Sequence, residues 1–464
     1  MIAATMIALL MALIAGMICL TLIVRRLLRS PSTHQFPSVP KYLDHKITHE
    51  INSLLSPTHQ SLLETAEKST KSVLLSVLGP LGFKVFSTGS FPAQVDTLDS
   101  DLDFSLVSKG MDGVDNGKKL KDIQMLLQDR KEFSLVKVLM ARVPLLQLVH
   151  AQTGIEIDVT IDTNDSKRNT QLLVFYGQMD SRFQPLCRAV KHWAKNTGVE
   201  GAKNGRLNSF TLCLMVIHYL QELQILPNLQ EQFPELAEEF EVENDDYEKR
   251  NLKKELEIRG YKRTGIHDNR SLCSLYLGFL SYYSQFDFST KWISINRGKA
   301  LKKRRTLWFN TPKDGMPNQT MHLTVQDPCL LNWNCAGSVW SREIAERLRA
   351  EFQLSLERIK KTRGFFGGLK SPKRAQLDRE GMKRDLQIEQ WKKEHGEDNV
   401  RKSNLRDDKW GSDVWDPNAE ASTNWDDWIV PHELNVHPEK FWDRKKEETM
   451  VEEWPIVERI MMAC

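Results

Sequence analysis

Residues 83–108 read FKVFSTGSFPAQVDTLDSDLDFSLVS, and the alternation inside this stretch decides the fold class. Phe83–Phe86 and Leu102–Val107 are short β-rich runs, and Thr88-Gly89-Ser90 closes the first. At the second, Asp101 and Asp103 stand at i and i+2. A strand therefore holds both carboxylates on one face while Leu102, Phe104 and Leu106 line the other. Residues 155–161, IEIDVTI, alternate in the same way and aim Asp158 to one side. Phe133–Leu139 and Val143–Val149 add two β-rich runs, with a helix near 117–130. Long helical patterns dominate from 181 to 363. The expected class is α+β, a mixed β-sheet domain joined to a mainly helical one.

Carboxylates held this close repel one another, so a fold that keeps them usually supplies a cation. A third carboxylate on a neighbouring strand would complete a seat for two Mg²⁺ ions, the arrangement used for in-line phosphoryl transfer. Taken alone, D-x-D also describes an exposed strand with solvated acids. The Gly89-Ser90 turn shifts that balance, because its N–H groups and hydroxyl can close on phosphate oxygens.

A Gly-Ser pair, a spacer of ten, D-x-D and a third Asp further on resemble the polymerase-β-type nucleotidyltransferases, specifically the noncanonical poly(A) polymerases and terminal uridylyltransferases. The resemblance continues through Asn169-Thr170, KHWAKNTGV (191–199), GRLNSFTLCLMVIHYLQ (205–221), the segment 271–298 and VQDPCLLNWNCAGSV (325–339), and spans roughly residues 45–363. It implies a bilobed nucleotidyltransferase with a PAP-associated helical domain. It also implies template-independent addition from NTP to an RNA 3′ end, with Mg²⁺ or Mn²⁺ held by Asp101, Asp103 and Asp158. Gly89, Ser90, Asn169, Thr170, Lys191, Lys195, Ser209, Phe210, Trp333 and Asn334 are the implied nucleotide-binding residues. Lys191 and Lys195 would hold the triphosphate, and Phe210 would stack on the base where the family usually has Tyr. On helical geometry Arg188, Lys191 and Lys195 share one stripe opposite Leu186, Val190 and Trp193, a pattern that also fits a solvated basic face.

Two positions depart from the family pattern. Gln94 stands where the phosphate loop usually has a second glycine, which implies a stiffer or differently shaped loop. Trp333 stands where uridine-selective members carry His, and it cannot offer an imidazole's donor and acceptor to a uracil edge. Adenosine addition, relaxed selectivity and mixed tails of U and G all stay open, as does an inactive membrane-tethered scaffold.

The composition, 41% apolar and 27% charged over 464 residues, excludes wholesale disorder. A net charge of +3 leaves nucleic-acid binding to local patches, of which Asn296–Arg305 is the densest basic run. Seven scattered cysteines argue against a disulfide framework and for a reducing compartment. Residues 1–24 contain no charge and are long enough to span a hydrocarbon core of roughly 30 Å. With Arg25, Arg26 and Arg29 behind them, they read as a signal anchor that leaves the catalytic region in the cytosol, at the endoplasmic reticulum or the mitochondrial outer membrane. The expected organisation is an anchor (1–24), a linker (25–40), a helical segment packing on the central domain (41–79), a catalytic domain (80–165), a central helical domain (166–363) and a charged, largely disordered tail (364–464). In that tail, Trp410, Trp415, Trp425 and Trp428 could dock into a protein partner that supplies RNA choice, or pack back on the enzyme.

Overall fold

The structure, a computed structural model, describes residues 39–108, 116–140, 143–161, 165–232, 254, 268–303, 322–330 and 333–369. The anchor reading of residues 1–24 and the tryptophan motifs of the tail lie outside the described residues. Among those that are described, no helix is long and apolar enough to cross a membrane.

Five strands form one mixed sheet: β1 (Phe83–Thr88), β2 (Leu102–Ser108), β3 (Phe133–Leu139), β4 (Leu145–His150) and β5 (Glu156–Ile161). Their spatial order is β1-β2-β5-β4-β3, with β2 and β5 parallel and the other neighbours antiparallel. The alternation seen in the sequence sets which side chains face the core. Leu102, Phe104, Leu106, Ile157 and Val159 are all buried on one face of β2 and β5. They pack with Leu63, Val73, Leu74 and Leu78 of helix α2 (Pro57–Leu78) and with Leu120, Ile123 and Leu127 of α3 (Asn116–Leu127). The acidic residues are thereby left on the opposite face.

Residues 41–79 do not act as one packing unit. Helix α1 (Lys41–Asn52) packs on the helical region, while α2 goes under the sheet against β1. The reason is the break at Ser53–Ser56. Pro57 opens α2 in its first turn, and the Ser56 hydroxyl caps it by accepting from His59 N–H.

The helical region contains α4 (Asp165–Met179), α5 (Phe183–Thr197), α6 (Ser209–Glu222), α7 (Leu272–Ser284) and α8 (Arg342–Thr362). Its core is aromatic: Trp193 stacks near Phe352, with centroids 4.8 Å apart, and donates to Ser355 Oγ at 2.7 Å. Tyr283 joins α7 to α6 by donating to Met215 O at 2.9 Å. Residues 364–369, assigned from sequence to the disordered tail, are ordered. Phe365 is fully buried, meets Tyr276 edge-on and donates its N–H to Glu50. The basic run beginning at Asn296 folds in its described part into a hairpin, β6 (Lys291–Ser294) with β7 (Lys299–Lys302). All cysteines among the described residues are free thiols.

Candidate active site

A cleft of about 490 Å³ opens where the acidic face of the sheet meets α4, α5 and α6. Gly89, Ser90, Asp101, Asp103, Asn169, Thr170, Lys191, Lys195, Ser209 and Phe210 all line it. Asp103 is paired in register with Thr88 on one side and with Asp158 on the other. Laterally paired residues point to the same face of a sheet, with strands about 4.8 Å apart. Asp158 does not itself line the cleft; it stands beside Asp103, while Thr160, two residues on, is a wall residue.

Electrostatics mark this edge. Burial, then the fields of Asp101 and Asp158, push the Asp103 carboxyl up to about 7 against the opposing pull of Lys191. Burial, Asp101 and Glu156 push Asp158 up to about 6, opposed by Lys203. The chain's own cations, Lys191 and Lys203, therefore do not offset the burial and mutual repulsion that hold these carboxyls back from ionising. Among the described residues, no group of three or more His, Cys, Asp or Glu is placed to hold a metal ion. An open set of carboxylate oxygens is what Mg²⁺ usually meets, since it takes one or two carboxylates and completes its shell with water and substrate phosphates. The donor set fits a hard divalent ion.

The Gly89-Ser90 turn is held from across the cleft. Gly89 N–H donates to Thr170 Oγ1 at 2.8 Å, and that hydroxyl in turn donates to Ser166 O at 2.7 Å. Gly89 has φ +80°, and a Cβ there would run into the Asp103 carboxylate. Only glycine meets both demands.

The basic stripe of α5 is not a solvated face. Arg188 and Lys191 are buried, and they hydrogen-bond to the carbonyls of Gln94 (2.6 Å) and Val95 (2.9 Å) in the β1–β2 loop. Lys195 is ion-paired with Asp99. Asp96, in the same loop, is buried and accepts from Gln60 of α2; burial raises its carboxyl above the ordinary range. The loop is thus clamped between α2 and α5. Gln94 adopts φ +56°, a left-handed conformation that glycine takes without strain, so the departure from the family pattern changes the residue and keeps a glycine-like backbone.

Trp333 and Asn334 are not among the cleft-lining residues. Asn334 is buried and staples its own loop: its Oδ1 accepts from Val325 and Ala336 N–H at 3.0 Å, and its Nδ2 donates to Leu323 O at 3.0 Å. Asp327 Oδ1 accepts from the N–H groups of Cys329 and Leu330 at 2.8 Å, the geometry of a turn cap. Two acidic cleft residues escaped the sequence reading. Glu200 lines the wall and accepts from the Ser209 hydroxyl; Asp99 faces Lys195. Asp99 was visible only as one more acid in the run D-T-L-D-S-D, and Glu200 had no motif to announce it.

Family models match two segments of the chain. Residues 47–178 match the mitochondrial-like poly(A) RNA polymerase central palm domain, and residues 271–332 match the PAP-associated segment described as Cid1 family poly A polymerase. Both segments are ones that models of the noncanonical poly(A) polymerase and terminal uridylyltransferase family describe, and the chain is similar to that family over them. Among its relatives, poly(A) RNA polymerase GLD2-A of Xenopus laevis is 34% identical over 217 residues, which is 46% of this chain and 39% of that protein. The chain spans less than half the length of the curated relatives it matches. Solved structures share the fold. The GLD-2/RNP-8 complex gives a TM-score of 0.51 at 22% identity, and the Cid1 RNA terminal uridylyl transferase gives 0.53 at 21%. Each covers 69% of this chain and 94% of its own.

Proposed function

We propose that this chain extends RNA 3′ ends with nucleotides from NTP, without a template. The observation that supports this reading best is the lateral pairing of Asp103 with Asp158 on one sheet face, beside a glycine-serine turn held by Thr170. Asp101, Asp103 and Asp158 would hold Mg²⁺ or Mn²⁺. When bound, the ions supply activation of the RNA 3′-hydroxyl and charge neutralisation as pyrophosphate leaves. The chain's own part is positioning. Ser90 presents its N–H and hydroxyl to the phosphates, Gly89 shapes the turn with its own N–H held by Thr170, and Lys191 adds a fixed positive charge beside Asp103. Phe210 offers a flat face to the base, and Asn169 lines the wall near Thr170.

An adenosine preference has specific support. The curated relatives are named poly(A) RNA polymerases, and Trp333 lacks the imidazole that the resemblance associates with uridine selection. Residues 1–24 would anchor the enzyme to a membrane with its catalytic region in the cytosol. The tail tryptophans would recruit a protein partner that chooses the RNA, in keeping with the solved complex of GLD-2 with RNP-8.

The test is purified protein with Mg²⁺, an RNA oligomer and each NTP in turn. The expected result is 3′ extension by wild type and none by the double variant Asp101→Ala, Asp103→Ala, with an unchanged circular dichroism spectrum. Extension by the double variant at the wild-type rate would remove the site assignment.

A further inference from the structure

One contact at the cleft rim has no role in the chemistry described above. Lys195, in the last turn of α5, is a residue the family resemblance assigns to the triphosphate, yet its ammonium is paired with Asp99. Asp99 belongs to a closed turn. Ser100 N–H donates to Thr97 O at 3.0 Å, and Thr97 N–H donates to Ser100 Oγ at 2.8 Å. The free Asp99 oxygen accepts from the Thr97 hydroxyl at 2.9 Å. Both partners of the pair are 52% exposed, and both line the cleft.

Lys191, one turn back on α5, is arranged differently. It is buried and donates to a neutral carbonyl, that of Val95, at 2.9 Å. A carbonyl tolerates a phosphate beside the same ammonium. A carboxylate does not, because two anions crowding one cation repel each other.

We propose that Asp99 is the resting counter-ion of Lys195, and that the lysine exchanges this carboxylate for the triphosphate on entry and returns to it as pyrophosphate leaves. The proposal rests on the nucleotidyltransfer reading above. An exposed ion pair is weak, so the exchange is a modest barrier and not a lock. Its consequence is that Asp99 lowers affinity for the incoming triphosphate and for departing pyrophosphate together. The competition concerns phosphate oxygens, so its size is the same for all four NTPs. Asp99 is in this sense a positioning residue, acting only through Lys195.

The test uses the full chain with Mg²⁺, an RNA oligomer, each NTP and inorganic pyrophosphate as product inhibitor. The variants are Asp99→Asn, Asp99→Ala, Lys195→Met and the combination of Asp99→Asn with Lys195→Met. Expected for both Asp99 variants is a parallel fall of about two- to fivefold in KM for every NTP and in the pyrophosphate inhibition constant. In the Lys195→Met background, Asp99→Asn should change neither. An unchanged or raised KM in Asp99→Asn, with wild type extending RNA normally, would overturn the exchange and leave the enzyme reading standing. So would a fall in KM that survives Lys195→Met, because the effect would then be a general field. Wild type that incorporates no NTP would overturn the enzyme reading and the exchange with it.

Discussion

The acidic sheet edge and helix α5, which meet at the cleft, treat charge in opposite ways. On the sheet edge, Asp103 and Asp158 sit in register, and burial with acidic neighbours pushes them up to about 7 and about 6. On α5, Arg188 and Lys191 are buried, but each donates to a carbonyl of the β1–β2 loop, at 2.6 and 2.9 Å. The acidic edge is left with the mutual repulsion of its carboxylates, whereas the basic side chains are satisfied by carbonyls of the chain itself. The difference separates a site that waits for ligand from a clamp that shapes it.

The largest expected effect comes from the acidic wall. Asp103→Asn should lower the rate of RNA extension by at least about 10³-fold, measured as single-turnover incorporation. It should also change how stability depends on pH. The folded state raises this carboxyl from 3.8 to about 7, so it favours the protonated form. Its contribution is then full below about pH 4 and is lost as pH rises toward 7; Asp158 follows the same course toward 6. Wild type in EDTA should lose melting temperature from pH 4 to 7, Mg²⁺ should restore it at pH 7, and Asp103→Asn should flatten the loss. A metal-free protein that melts at one temperature across this range would erase the contrast between the walls.

Gly89→Ala comes next. A methyl at φ +80° that also meets the Asp103 carboxylate must displace the turn or the Asp103 side chain. A loss of about 10²-fold in kcat/KM is expected, with a destabilisation of about 1–3 kcal/mol in urea unfolding. Lys191→Met tests the other wall. It leaves the buried Val95 carbonyl without this donor and removes the positive charge that lowers Asp103, so about 1–3 kcal/mol of stability should be lost. Metal-free Asp103 should titrate higher still, read by NMR of the carboxyl carbon. Wild-type stability in this variant would mean that α5 does not clamp the loop.

Gln94→Gly has the smallest effect. It relieves a left-handed φ of +56° but gives up the Gln184 amide contact to the Gln94 side chain, at 3.2 Å. A gain of about 0.5–1 kcal/mol in unfolding free energy is expected, with extension rates close to wild type. A destabilised glycine variant would show that the side-chain contact, not the backbone, sets the loop's shape.

Much of this was legible in the residues. Period-two alternation placed Leu102, Phe104 and Leu106 on the buried face and left Asp101, Asp103 and Asp158 to the other, because a strand's pleat is a local property. Strand limits moved by only a residue or two, as at Leu145–His150 against the expected 143–149. The α5 stripe was visible as a pattern, but its two meanings, solvated face or ligand site, were both incomplete. Its long side chains are engaged with a loop more than ninety residues away in the chain, which no helical wheel can reveal.

By itself, the sequence determined the mixed sheet and helices, the lateral placing of Asp158 beside the acidic pair, and the family resemblance. Each of these is written in spacing along the chain. Tertiary structure alone decided that α2 parts from α1 to close the sheet, that Asn334 is a loop staple outside the cleft wall, and that Asp99 meets Lys195. Those outcomes depend on which surfaces meet after folding, and the energy of a contact is set by distance in space, whatever the separation in sequence.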